Sequence, residues 1–465
     1  MDFPLFYMDF VGNRMLMALI AVVHVMINHP LAVGAWPLIA LIEWRAWKMK
    51  SEAWDNLAYR ITFVLFIVTT TLGALTGVGI WLTAALIAPF GIGSLLRIFF
   101  WAWFTEWLVF VSEVVLVLVY YLTWQRWREG VWKRVHLGVG IVLSAFSWVT
   151  MALIVAILGF MMGTGDWSIH HGFFSAFFNP LYAPQLLFRT SFAMLTAGLM
   201  VWFLMFFFTK GAAEVRPQVI RFVSIWILAW TPFCLIGGLW YWGRVPATMA
   251  ANVNVAVMTQ RFMTHYSIFI VVISVVLGLV MLTALTGLIR PKLIPRYWLV
   301  VPFALGLFTL GYFERVREFI RKPFVVADYM YSNGVTTTEL PIYQRDGILT
   351  YATYAAERNV TPTNQLQAGR DVYMLACSRC HTTNGLNNVR NKFRILYGDQ
   401  PWDPDVMTSL IKTMHLTRTY MPPFPGNDAE IGALVTFIKD LQFNPHTLRG
   451  VQSIGIALPA NGPVQ

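Results

Sequence analysis

Residues 13–44 read NRMLMALIAVVHVMINHPLAVGAWPLIALIEW, a stretch of 32 positions whose only formal charges are Arg14 and Glu43, one near each end. About 20 apolar residues in a helix cross the roughly 30 Å of bilayer hydrocarbon, so this stretch is long enough to span a membrane. Seven more runs of that kind follow. With the first they lie near 14–42, 57–88, 95–123, 133–162, 183–209, 219–243, 262–289 and 297–320. The whole-chain composition agrees: of 465 residues, 57% are hydrophobic and only 12% charged, against about a quarter charged in an average soluble domain. The expected fold class is all-α, a polytopic transmembrane bundle of about eight helices. The segment before the first run lacks a basic n-region, and no small-residue cleavage site follows the run, so the first helix is expected to stay rather than leave as a signal peptide.

The charges are divided unevenly. Residues 1–323 hold 23 Lys and Arg against 12 Asp and Glu, and residues 324–465 hold 11 of each. All of the +11 excess therefore belongs to the membrane part, which removes support for nucleic-acid binding and leaves an orientation signal. Basic clusters follow the first, third, fifth and seventh runs: Arg45, Lys48 and Lys50; Arg126 to Arg134; Lys210 to Arg221; and Arg290 to Arg296. Those loops are expected on the cytoplasmic side, with the N-terminus and everything after the eighth helix outside. A further cluster, Arg315 to Lys322, is interleaved with Glu314 and Glu318 and reads as a site rather than an orientation signal.

From residue 324 the chain turns polar. The stretch at 328–364, DYMYSNGVTTTELPIYQRDGILTYATYAAERNVTPTN, contains no run that could span a bilayer. The expected organisation is a membrane domain at 1–323, an extracytoplasmic linker at 324–363, a compact domain at 364–445 and a tail at 446–465. Inside the compact domain, Cys377-Ser-Arg-Cys380-His381 has the C-x-x-C-H spacing of covalent haem attachment. Two thiols within one turn can each add to a haem vinyl while the adjacent His lies beneath the iron. Gly369 stands eight residues upstream of Cys377, and Met421 opens a Pro-rich loop forty residues downstream of His381. Met421 is the expected sixth ligand, with His415 as its competitor. The stretch resembles a small class I cytochrome c, an α-helical domain with one haem c. Haem is attached outside the cytoplasmic membrane in that family, in agreement with the side deduced from charge.

Polar groups inside hydrocarbon are costly and are read first as functional. His24 lies mid-helix, His29 beside Pro30, and His265 at the start of the seventh helix; each is a candidate haem ligand or, more blandly, a histidine bonded within the bundle. His136 and the pair His170 and His171 fit the bland reading better. Glu106 and Glu113 are seven residues apart and share one face of the third helix, as a ligand or proton relay would. Glu43 could accept protons or be solvated. Arg14, Arg97, Arg189, Arg261 and Arg321 lie near the outer ends and suit bidentate binding of haem propionates, or interfacial anchoring.

These residues carry a resemblance over most of residues 10–325. The stretch NRMLMALIAVVHVMINHPLAVGAWPLIALIEW is similar to the first helix of the large subunit of cytochrome bd-type oxidases, and it sets His24 at the axial haem ligand. WAWFTEWLVF is similar to the third-helix stretch, with Glu106 at the buried acid tied to the active haem and proton path. Glu318-Phe-Ile-Arg321-Lys-Pro323-Phe324 resembles the family's E-x-G-R-Q-P-W motif, whose Glu ligates a high-spin haem b. The resemblance implies haem b in the bundle, haem d as a further candidate, and a second membrane subunit. Two departures stand out: Arg189 occupies the position of a His ligand, and the quinol-binding loop shrinks to about residues 244–260.

Together these features describe a multi-pass protein of the cytoplasmic membrane, surrounded by lipid, with its cytochrome c domain in the periplasm or outside. The favoured function is a respiratory oxidoreductase, a bd-like oxidase subunit that takes electrons from a soluble or membrane cytochrome c rather than from quinol and reduces dioxygen near His24, Glu106 and Glu318. Protons would pass Glu113 and Glu106, with Arg321 beside the haem. The alternative is a non-catalytic electron relay in a larger respiratory complex; a third is an anchor with no haem in its bundle. A haem-copper oxidase is disfavoured by the small number of helices and the absence of a histidine cluster.

Overall fold

A computed structural model describes residues 6–208, 214–257 and 266–444. Among them are eight helices long and apolar enough to cross a membrane: α1 (Asn13–Met49), α2 (Glu52–Ile87), α3 (Phe100–Thr123), α4 (Gly130–Phe160), α5 (Tyr182–Phe207), α6 (Arg216–Arg244), α7 (Val271–Ile289) and α8 (Arg296–Ile320). The protein is thus an all-α multi-pass membrane protein with a helical C-terminal region. By internal contacts it divides into two compact units. One comprises Ala21–Val78 and Leu96–Arg317, and the other Met1–Ile20, Gly79–Leu95 and Glu318–Gln465.

Within the first unit, α5 is the central helix. Of its apolar window 78% is buried, against 11% for α2. Small residues let neighbouring backbones close on it, as expected where lipid removes the hydrophobic drive between helices. A methyl group added at Gly34 of α1 would lie 2.1 Å from the Ala193 carbonyl oxygen, and one at Gly237 of α6 would lie 2.7 Å from the Phe188 nitrogen. Large apolar side chains such as Leu72, Leu75, Trp101, Leu122 and Leu239 are exposed on the outside of this unit, as suits lipid-facing positions.

Both α1 and α2 are interrupted by a π-helical turn, at His29–Val33 and Thr69–Gly73. Pro30 supplies no N–H for the regular ladder in the first. In the second, the hydroxyls of Thr69, Thr70 and Thr71 donate to the carbonyls of Leu65, Phe66 and Ile67 at 2.8, 2.6 and 2.6 Å, a side-chain competition that loosens helical pitch.

In the second unit, β1 (Phe324–Val326) and β2 (Met330–Tyr331) form an antiparallel ribbon. It is followed by α9 (Leu340–Asp346), α10 (Gln365–Ala376), α11 (Val389–Tyr397), α12 (Pro404–Thr417) and α13 (Asp428–Phe443). The stretch expected as a linker carries defined structure. Val335, Tyr343, Ile348 and Leu349 join the same apolar core as Tyr373, Phe437 and Leu441. Its polar composition hid this because a few apolar residues at irregular spacing suffice to dock a short segment on helices already present. The tie is also polar: Glu430, in a capping box with Asn427 at the start of α13, accepts from the backbone N–H groups of Ile348 and Leu349 at 2.9 and 2.8 Å. Helices α10 and α13 cross at Gly369, where a methyl group would lie 1.9 Å from the Ala433 carbonyl oxygen.

Candidate functional site

The end of α10 presents the attachment motif. The last helical residue is Ala376. The cysteines Cys377 and Cys380 are both free thiols. His381 points its Nδ1 at the main-chain oxygen of Asn387, 3.2 Å away. That oxygen can only accept, so Nδ1 carries the proton and Nε2 keeps its lone pair, the arrangement by which a second partner orients a metal-bound imidazole. Burial pulls the His381 pKa down to about 4, which keeps the ring neutral and able to ligate. Burial also pushes the Cys377 thiol up to about 12. Asn387 itself sits in the left-handed region, φ 59°, and its side chain donates to the Cys380 carbonyl at 2.8 Å. These features fit a covalently held haem. Met421 opens the loop between α12 and α13, its N–H donating to the Arg418 carbonyl at 2.7 Å. His415 is in the last turn of α12.

The N-terminal segment closes over this motif, which the sequence did not indicate. Thr383 donates its N–H and its hydroxyl to Asp9 Oδ1, at 3.0 and 2.8 Å, and Leu386 donates to the Phe10 carbonyl at 3.1 Å. Positive charge gathers in the same unit. The Arg14 guanidinium lies over the Phe319 ring at 4.8 Å; Arg321 Nη2 reaches both oxygens of Glu318 at 2.6 Å, and Lys322 Nζ reaches one at 3.4 Å. The positive charges of Lys392, Arg14 and Arg418 lie near enough to His381 to favour its neutral form. The Glu318 to Lys322 stretch therefore neighbours the attachment motif, and its basic groups suit the carboxylates of a haem.

The other unit holds the membrane candidates. His24 Nδ1 lies 3.0 Å from both Thr76 Oγ1 and Asn28 Nδ2. Thr76 and the facing Gly77 follow the π-turn of α2. A methyl at Gly77 would come within 3.3 Å of the His24 ring. Asn28 Nδ2, which only donates, is also 3.4 Å from Nε2, so Asn28 engages both nitrogens of the ring, and ligation of a haem iron through Nε2 requires this amide to turn away. His29 differs: its Nε2 accepts from Arg189 Nη1 at 3.1 Å. Arg189 is buried, with Nη2 2.6 Å from Glu314 Oε1, while Arg317 Nε lies 2.9 Å from Glu314 Oε2. The Arg315 to Lys322 cluster, read as one site, thus has two halves: Glu314 and Arg317 face Arg189, and Glu318 to Lys322 belong to the other unit.

Glu113 is buried and accepts from the Thr150 hydroxyl at 3.3 Å; Glu106, two turns before it on α3, is half-buried. Arg97 is exposed at the end of a short helix, Pro89–Ile98. Arg261 and His265 lie outside the described residues. Glu43 is fully buried rather than solvated, and His136 bonds to it within the bundle.

Comparison with known proteins agrees with both parts. A bd oxidase from Geobacillus thermodenitrificans has a similar fold, with a TM-score of 0.56 at 15% sequence identity, covering 68% of this chain and 89% of that one. Residues 364–438 match the family described as Cytochrome C oxidase, cbb3-type, subunit III. No curated protein sequence matches the chain. The chain therefore joins a membrane bundle of bd-oxidase fold to a C-terminal domain of the cytochrome c type.

Proposed function

We propose that this protein is a subunit of a respiratory oxidoreductase that moves electrons between a periplasmic haem c and haems in the membrane bundle, and that it reduces dioxygen as a bd-like oxidase supplied by cytochrome c rather than quinol. The observation that carries the reading is His381: its Nδ1 is anchored to Asn387 and its Nε2 has no hydrogen-bond partner among the described residues, on a motif that shares a unit with Arg14, Glu318, Arg321 and Lys322. Cys377 and Cys380 would hold haem c through thioethers, with His381 and Met421 as axial ligands; bound there, the group supplies one-electron transfer. His24 would ligate haem b. Glu106 and Glu113 would hold and pass protons, and the Arg14 and Arg321 guanidinia would neutralise propionates. The chain organisation that serves this is a membrane domain at 1–323, the segment 324–363 and the c domain at 364–445, the last on the outer side of the cytoplasmic membrane. A second membrane subunit and further respiratory partners complete the assembly.

The test is anaerobic reduction of the purified complex by a soluble cytochrome c, followed by admission of air. Rapid reoxidation with oxygen uptake is expected, and a complex that stays reduced in air overturns the oxidase assignment. A specific observation favours a second reading, an electron relay without oxygen chemistry: Arg189 and Glu314 form a buried ion pair that engages His29 Nε2. Carbon monoxide separates the two, since a relay with six-coordinate haems shows little spectral change.

A further inference from the structure

Glu43 lies in the second half of α1, fully buried and far along the helix from His24. Three groups converge on it. Lys133 Nζ is 2.7 Å from Oε1, His136 Nδ1 is 2.6 Å from the same oxygen, and the Tyr120 hydroxyl donates to Oε2 at 2.6 Å. The other ring nitrogen of His136, Nε2, is 2.8 Å from the main-chain oxygen of Tyr120. Turning the ring over would set carbon atoms against both oxygens, so this orientation is the one the surroundings select.

The geometry has a consequence for protons. A main-chain oxygen only accepts, so Nε2 must carry a hydrogen. A neutral imidazole has a single N–H, and with that hydrogen spent on Tyr120 the Nδ1 lone pair would face a carboxylate lone pair at 2.6 Å. Such a contact is stable only with a proton in it. Lys133 also pairs with Asp55 at 2.9 Å. The Trp124, Trp127 and Tyr120 rings pack on His136 and close the contact off around it.

We propose that Glu43 and His136 form a proton-binding site in the membrane bundle, one that exchanges with solvent through Lys133 and the partly exposed Asp55. Asp55 is the outermost member, paired at 3.3 Å with the half-exposed Arg128. The proton resides as imidazolium against carboxylate, or as carboxylic acid against neutral imidazole. In either form it stands apart from the electron route, and it is held whatever the oxidant.

The experiment uses the full chain in detergent, with histidine labelled by nitrogen-15. At neutral pH the expected result is one of two signatures. Either one histidine has both ring nitrogens protonated and that signal is lost in His136→Gln, or an infrared carboxylic-acid band is lost in Glu43→Gln. Tyr120→Phe removes one hydrogen bond from Glu43 and shifts whichever signature is present, an assignment that survives should the other variants fail to fold. Wild-type protein showing neither signature, or one that none of the variants moves, overturns the proposal. Asp55→Asn is expected to slow deuterium uptake at the site; unchanged uptake overturns the exchange route.

Discussion

Asp9 and Thr383, 374 residues apart, are joined by two hydrogen bonds onto a single carboxylate oxygen, at 3.0 and 2.8 Å. The Tyr7 hydroxyl adds a third, donating to that same oxygen at 2.5 Å and accepting from the Thr383 N–H at 2.9 Å. Burial and the Asp9 carboxylate push the Tyr7 phenol well above its ordinary range, so it stays a donor. Because Thr383 is two residues past His381, the N-terminal segment braces the haem-attachment turn. Asp9→Ala leaves the Thr383 N–H and hydroxyl short of an acceptor and is expected to destabilise this unit by about 1–3 kcal/mol. Thermal unfolding followed through the haem c absorbance checks it, and an unchanged midpoint would show that the brace contributes nothing.

Asn387 positions His381 through its main-chain oxygen while occupying a left-handed conformation. A β-branched residue there is strained by about 1–2 kcal/mol and also loses the bond to the Cys380 carbonyl. Asn387→Val is expected to retain covalent haem, as seen by haem staining on a denaturing gel, but to shift the haem c midpoint potential. Cys377→Ala with Cys380→Ala, by contrast, is expected to abolish the stain.

Arg189 and Glu314 are both sealed from solvent. Arg317 shares the Glu314 carboxylate, so Glu314→Gln takes that carboxylate from two buried guanidinium groups, whereas Arg189→Ala leaves Glu314 paired with Arg317. Removing the partner of a buried charge costs about 3–5 kcal/mol. Glu314→Gln is therefore expected to reduce the yield and thermal stability of the detergent-solubilised protein severely, and Arg189→Ala less so. A Glu314→Gln variant no less stable than Arg189→Ala would argue against the shared carboxylate.

Glu430 gives a pH dependence of known sign. Burial raises its pKa, partly opposed by the N–H groups of Leu349, Ile348 and Asn427 that it accepts from. The folded state therefore favours the protonated form more than the unfolded chain does. The stability it contributes is complete below the ordinary carboxylate range and is lost as pH rises through its folded value. Glu430→Gln is expected to flatten that slope in thermal melts across the weakly acidic range, while lowering the plateau through loss of an acceptor oxygen. A slope identical to wild type would mean that another group titrates there.

The eight spans were legible because a bilayer imposes a length and a composition on any helix that crosses it, whatever its neighbours. Cys377, Cys380 and His381 were legible for a similar reason: the chemistry of attachment is confined to five consecutive residues. The segment 324–363 was not, since its docking depends on Glu430, some eighty residues away, and on a core assembled from distant helices. Glu43 and His136 were each visible as polar residues near a basic edge. Their pairing was not, because it joins the side chains of α1 and α4 across a turn geometry that no spacing encodes.

What the sequence determined by itself, then, is the set of helices and the C-x-x-C-H motif, together with an expectation for the side of the membrane, all properties of local runs. The tertiary structure alone decided which polar groups share a proton or a charge: Asp9 with Thr383, Arg189 with Glu314, Glu43 with His136. Hydrogen bonds act over about 3 Å, and only folding brings residues separated by dozens or hundreds of positions to within that distance.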